Sequence, residues 1–202
     1  MTFANMSLKE FNSKLASDSP TPGGGSVAGL SAALGASLTS MVVHLTKEGD
    51  LDKYEADLED HIKFALELID KDALSFNKVM DAFKMDKDTD EAAQKRKEAI
   101  QSALYEASLT PMETIKLAKD ILEITEEVAK KGNKNAVSDA GVAALMALAS
   151  VKSAAYNVYI NTSSLSDENK AKRLEEKADS LVKESEDIAN RVEQVCLDRI
   201  KN

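Results

Sequence analysis

Residues 25–40 read Gly25-Ser-Val-Ala-Gly-Leu-Ser-Ala-Ala-Leu-Gly-Ala-Ser-Leu-Thr-Ser40, and the run from Ser26 to Thr46 contains no Asp, Glu, Lys or Arg. Small residues recur every fourth position. Gly25, Gly29, Ala33 and Ser37 form one row, and Ala28, Ala32, Ala36 and Ser40 another. Residues four apart share a helix face, and a face without bulk lets a second helix approach closely. The pattern predicts a helix over 27–47, stopped near Gly49. About 20 residues of this character could also span a bilayer. The Ser, Thr and Gly content, the terminal His44 and the lack of basic and aromatic anchors at its start argue instead for a helix buried on all sides within a protein.

Working outward, Ser7 and Glu10 form a capping box for a helix over 8–17. Residues 51–84 carry an apolar stripe at steps of three and four: Leu51, Tyr54, Leu58, Ile62, Ala65, Ile69, Asp72, Phe76, Val79 and Phe83. That is the signature of a packed helix. A fourth helix is expected over 89–108. Thr110-Pro-Met-Glu113 reads as another capping box, with Pro111 at the first helical position. It opens a fifth helix that closes at Gly132. A sixth runs from Asp139 to about Asn161 and presents Ala140, Ala143, Ala144, Ala147 and Ala155. A seventh, charged and amphipathic, starts at Ser166. No internal repeat and no strand alternation interrupts the series. The expected fold is all-α: a single domain over 1–202, an antiparallel bundle of about seven helices. The small-residue faces predict a homodimer.

Composition bounds the function. The chain has 202 residues, of which 43% are hydrophobic, 30% charged and 4% aromatic. That length buries a core without staples. A net charge of −9 argues against nucleic acid or an anionic membrane as partner. The lone Cys196 cannot form an internal disulfide, which fits the reducing cytoplasm and a packing role. No secretory leader is expected. The two histidines, His44 and His61, lack the spacing of zinc or di-iron sites, so no metal is expected. His44, inside the apolar helix, reads as a satisfied core residue.

Two polar turns stand out. In Pro22-Gly23-Gly24-Gly25-Ser26, glycines free the backbone to aim N–H groups at one point, and the following helix adds its positive end. This suits an anion or a carbonyl oxygen, or it is only a tight turn between helices. Asn133, Asn135, Ser138 and Asp139 offer donors and acceptors within seven residues, although Ser138 and Asp139 could simply cap the next helix. Asp72 falls on the core stripe and must be paired, hydrogen-bonded or face a cavity. Asn157 and Asn161 lie one turn apart. Asn157 follows Asp139 by 18 residues, about 27 Å along a helix, so the two ends can share one small site only across a dimer.

Taken together, Pro22-Gly-Gly-Gly-Ser-Val-Ala28, Asp72-Ala-x-x-Phe76, Pro111, Gly132-Asn-x-Asn-x-x-Ser-Asp-Ala-Gly-Val-Ala143 and Asn157-Val-x-x-Asn161 resemble the cyclodeaminase/cyclohydrolase family. Its members include the C-terminal domain of formiminotransferase-cyclodeaminase and free-standing bacterial relatives. The resemblance covers nearly the whole chain. It implies an all-helical homodimer that binds tetrahydrofolate derivatives as substrate, without a tightly bound cofactor. It also implies closure of 5-formiminotetrahydrofolate to 5,10-methenyltetrahydrofolate with loss of ammonia, or hydrolysis of the methenyl compound to 10-formyltetrahydrofolate. Relatives often carry a Gly-Lys-Lys-Lys-Tyr-like stretch after the second helix. Here Lys47-Glu-Gly-Asp-Leu-Asp-Lys53-Tyr54 offers less positive charge to a folate glutamate tail. Asp139 is the first candidate for proton transfer and Asp72 the second. Pro22, Gly23, Gly24, Gly25, Ser26, Asn133, Asn135, Ser138, Asn157 and Asn161 are the candidate substrate contacts. A non-catalytic folate-binding or scaffolding module, and a phosphate-ligand binder at the glycine turn, are the competing readings.

Overall fold

The computed structural model describes residues 2–47 and 50–202. They form six α-helices: α1 Leu8–Leu15, α2 Gly24–His44, α3 Glu55–Lys84, α4 Asp90–Lys131, α5 Val137–Thr162 and α6 Glu168–Lys201. Short 3-10 turns occupy Phe3–Asn5, Asp52–Tyr54 and Lys134–Ala136. Among the described residues there is no strand. The helix starts are set by the chain itself. Ser7 and Glu10 close the expected capping box on α1, Thr89 accepts from Ala92 N–H at 3.1 Å, and Asp167 accepts from Lys170 N–H at 3.0 Å.

The small-residue helix α2 is the centre of the bundle. A Cβ at Gly29 would lie 3.1 Å from Ala65 O on α3, and one at Gly35 would lie 3.1 Å from Ala143 O on α5. These approaches bring backbone against backbone, so a side chain at either position would have to push the helices apart. Ser150 Oγ donates to Ala28 O at 2.8 Å, and the Thr39 and Thr125 hydroxyls meet at 2.7 Å, which ties α2 to α4. Helices α2, α3, α4, α5 and α6 follow one another in antiparallel order, because contacts near the end of one recur near the start of the next. His44 at the end of α2 faces Glu55 at the start of α3, Phe83 O near the end of α3 accepts from Arg96 near the start of α4, and Thr162 at the end of α5 donates to Glu175 near the start of α6.

The structure corrects several expectations. The predicted fourth and fifth helices are one continuous α4, with Pro111 in its interior, so the bundle has six helices rather than seven. Pro111 should break the helix by removing one N–H. The acceptor it leaves free, Ala107 O, takes a hydrogen bond from Asn161 Nδ2 at 3.0 Å instead. The side chain of a neighbouring helix thus replaces the missing donor. α2 begins at Gly24, three residues early. Its expected stop, Gly49, lies outside the described residues. Nor is α2 buried on all sides: Leu34 and Met41 are exposed, as is Leu45 just past its end. His44 is also exposed and faces Glu55 at 3.6 Å, so it is not a core histidine. Phe76 and Phe83, placed on the core stripe by spacing, are exposed as well. By length and composition both α2 and the stretch Lys134–Thr162 could cross a membrane, and 56% of the most apolar window of α2 is buried inside the bundle. Cys196 is buried, and burial raises its thiol pKa.

Candidate functional site

The glycine turn opens one end of the bundle. Gly23 is the N-terminal flanking residue of α2, and no side chain caps the helix. Val27 N–H is the first to reach a helical acceptor, Gly23 O at 3.0 Å. The amides of Gly24, Gly25 and Ser26 therefore belong to the helix start that has no intrahelical partner, where the helix dipole is positive. Gly23, Gly24 and Gly25 line a cleft of about 280 Å³ together with Asp72, Ser75, Asn157 and Asn161. Pro22 is buried and does not line the cleft.

Asp72 forms the floor. Its carboxylate sits so close to Gly25 that an added Cβ would fall 2.0 Å from Oδ1 and 2.4 Å from Cγ. Gly25 is thus required by the carboxylate rather than by the turn. Burial raises the Asp72 pKa, and the Ser26 hydrogen bond opposes the shift without cancelling it. Ser26 is fully buried. Its hydroxyl lies 3.2 Å from Asp72 Oδ2 and 2.9 Å from Ile69 O. A hydroxyl is both donor and acceptor. It can donate to the ionised carboxylate, or accept from the protonated acid while donating to Ile69 O. Ser26 thus holds Asp72 in either protonation state and does not face the cleft.

Asn157 and Asn161 complete the wall from α5. Asn157 Nδ2 donates to Ser153 O at 2.8 Å, and a Cβ added at Gly24 would lie 3.6 Å from it. Asn161 Nδ2 is committed to Ala107 O. Ser75, which lines the cleft and whose hydroxyl meets that of Thr110 at 3.0 Å, was not singled out by the sequence. Ser75 follows Asp72 by three residues on the same helix face, a signal that could have found it.

The second turn lies at the far end. Asn133 N–H donates to Thr46 Oγ1 at 2.9 Å, and its Nδ2 donates to Leu45 O at 2.9 Å, just past the end of α2. The length of α2 separates this turn from the glycine turn, about 30 Å at 1.5 Å per residue. Asn133 Oδ1 also accepts from Asn135 N–H at 3.0 Å. Ser138 and Asp139 do not cap α5. The helix begins at Val137 after a 3-10 turn, so both residues sit inside its first turn. Ser138 is exposed and Asp139 half-buried. Within the chain the structure therefore brings together Gly23, Gly24, Gly25, Asp72, Asn157 and Asn161, and leaves Asn133, Asn135, Ser138 and Asp139 apart from them.

A helical bundle with unsatisfied helix-start amides above a half-buried carboxylate defines a class: an all-α protein with a polar small-molecule cleft able to exchange a proton. Comparison with known proteins narrows it. Residues 7–180 match the family model described as formiminotransferase-cyclodeaminase, and the chain belongs to that family. It is 35% identical to the methenyltetrahydrofolate cyclohydrolase of Methylorubrum extorquens, over 97% of this chain and 98% of that one. It is 30% identical to rat formimidoyltransferase-cyclodeaminase over 89% of this chain and only 35% of the rat protein. The crystal structure of formiminotetrahydrofolate cyclodeaminase from Thermotoga maritima superposes with a TM-score of 0.84 at 31% identity, covering 97% of this chain and 98% of that one.

Proposed function

We propose that this protein is a folate one-carbon enzyme that closes 5-formiminotetrahydrofolate to 5,10-methenyltetrahydrofolate with release of ammonia. It would act as a cytoplasmic homodimer without a tightly bound cofactor. The observation that carries the reading is Asp72, half-buried under the open amides of Gly24 and Gly25 and held by Ser26. A group that takes and returns a proton works best when its pKa is drawn toward the operating pH. Nitrogen 10 bonds to the carbon of the protonated formimino group, leaving an amino group there, and gives up its own proton to a carboxylate. The same proton then passes to the amino group on the tetrahedral carbon, and the carbon–nitrogen bond to ammonia breaks. The glycine amides and Asn157 hold acceptor and donor atoms of the pterin in register.

The homodimer supplies the missing half of the site. On α5 the exposed residues Ser138, Val142, Leu145, Ala149, Lys152, Tyr156 and Ile160 form one stripe. Within it Leu145 is 58% exposed, Tyr156 72% and Ile160 68%. Apolar residues so exposed on one continuous face mark an interaction surface. The residue midway between Ser138 and Ile160 is Ala149, small enough for close crossing. A two-fold axis there pairs α5 antiparallel with its copy and sets the partner subunit's Asp139 beside Asn157 and Asn161. Two-fold pairing is the commonest arrangement of such assemblies. Both candidate carboxylates, and both polar turns, then serve one cleft.

The cyclohydrolase reaction is the second reading, favoured by the full-length likeness to the M. extorquens protein. Purified protein with formiminotetrahydrofolate should release ammonia and gain the methenyl chromophore together. If it instead consumes the methenyl compound without ammonia, the cyclohydrolase reading replaces the first. Mixing Asp72→Asn with Asp139→Asn should restore about a quarter of wild-type activity, because half of the dimers are hybrids with one intact composite site. A mixture as inactive as its components means that each subunit works alone. A non-catalytic module predicts that neither substitution changes anything.

A further inference from the structure

We propose that Arg199, in the last turn of α6, is a positioning residue that locks the Gly132–Asp139 turn in its working geometry. The inference rests on the reading above that this turn contributes to the folate site. Arg199 lies beyond residue 180, where the family match ends. Its guanidinium nevertheless reaches back across the bundle. Nη1 donates to Ala129 O, and Nη2 donates to Gly132 O at 2.7 Å.

The ends of three helices meet here. α2 ends at His44, α4 at Lys131 and α6 at Lys201, and all three present C-terminal carbonyls. Such carbonyls lack helical donors and carry the negative end of the helix dipole. α4 departs through Gly132 in extended geometry, without the left-handed residue that commonly ends a helix by returning donors to its carbonyls. The planar fork of Arg199 takes that part, supplying two donors and a positive charge at one point. The chain is packed too closely at Gly132 for any larger residue, since a Cβ there would lie 2.6 Å from Val128 O and 2.8 Å from Val42 Cγ1. Thr46, which donates to Val42 O and accepts from Asn133 N–H, fixes the turn from the α2 side. Removal of Arg199 frees the opposite side, and the chain that leads to Asn135, Ser138 and Asp139 loses its anchor.

The test compares Arg199→Ala and Arg199→Lys with Arg191→Ala. Arg191 sits on the same helix and pairs with Glu126 on α4 at 2.9 Å, so its loss removes an α4–α6 contact away from the turn. Arg199→Ala should lower kcat about 100-fold, the scale of a displaced catalytic group, with KM changed much less. Lysine, with one compact charge, should recover only part of the loss, and added guanidinium at millimolar concentration should partly rescue the alanine variant. Amide hydrogen exchange over 133–139 should quicken at least about tenfold in Arg199→Ala while the centre of α5 stays protected. Arg191→Ala should match wild type in every measurement. The proposal is overturned if Arg199→Ala retains wild-type kcat and exchange. It is equally overturned if it loses activity without faster exchange in the turn. Should the alanine variant fail to fold, Arg199→Lys decides, and wild-type kcat and exchange in it reject the fork geometry. A wild-type protein inactive on both folates defeats the functional reading, and exchange alone then judges the clamp.

Discussion

The two ends of α2 are built from similar residues for opposite purposes. At its start, Gly24 and Gly25 leave helix amides open over a cleft, and a carboxylate is half-buried at a cost to its charged form. At its end, polar groups are tied off: Leu45 O and Thr46 Oγ1 accept from Asn133, and Gly132 O and Ala129 O accept from Arg199. One end keeps hydrogen-bonding capacity unspent, and that is what a ligand can use. The other end spends it on holding a turn in place. A polar turn in a sequence announces neither use.

The largest effect that would break this contrast is loss of the carboxylate. Asp72→Asn keeps an acceptor for Ser26 and should lower kcat by about 10²–10⁴-fold, the range of general acid–base catalysis. It should also raise the melting temperature at pH 7. The ordinary Asp72 value is 3.8, and burial lifts the folded-state value above it. The group's contribution to stability is therefore complete below about 3.8 and lost as pH rises through the lifted value. The gain in Asp72→Asn should fade as the pH is lowered toward 4 in thermal unfolding. A variant that is active removes Asp72 from the chemistry, and one less stable at pH 7 refutes the burial-raised pKa.

Next comes Gly25→Ala. The new Cβ would overlap Asp72 and turn the carboxylate away. It should lower kcat/KM about 100-fold and cost about 1–3 kcal/mol by chemical denaturation, as overpacking does. Further along the same helix Ser37 is exposed, and Ser37→Ala should leave both quantities unchanged. Ala149→Arg should split the dimer in sedimentation and abolish turnover without loss of helicity. A dimer that persists moves the two-fold axis elsewhere.

The smallest effect sharpens the role of α5. Asn161→Ala strands Ala107 O and should cost about 1–2 kcal/mol, the penalty for a buried acceptor left without a donor. In Pro111→Ala/Asn161→Ala the restored amide of residue 111 can supply the helical bond. The double variant should then be more stable than the two single losses added together. Simple additivity would show that Pro111 and Asn161 are not coupled.

Much of this was legible in the chain. The three-and-four spacing of α3 placed Leu58, Ala65 and Ile69 in the core, and the small-residue rows of α2 marked the close approaches at Gly25 and Gly29. The Ser7–Glu10 capping box is a local interaction and was readable for that reason. Where the reading failed, the deciding partner came from elsewhere. Thr110-Pro111 looks like a helix start until Asn161, 50 residues away, supplies the donor that Pro111 lacks. Phe76 and Phe83 follow the stripe and yet lie exposed, because position along a helix does not say where its neighbours end.

The sequence by itself determined the all-helical class, the central helix and the family, because periodicity, small-residue spacing and motif order are properties of a chain. Tertiary structure alone decided which polar groups remain free. It put Asp72 against Gly25, consumed Ser26, spent Asn161 on a proline's missing bond and bound Arg199 to the far turn. Hydrogen-bonding capacity is allotted between residues distant in the chain, and only the folded arrangement shows what is left for a ligand.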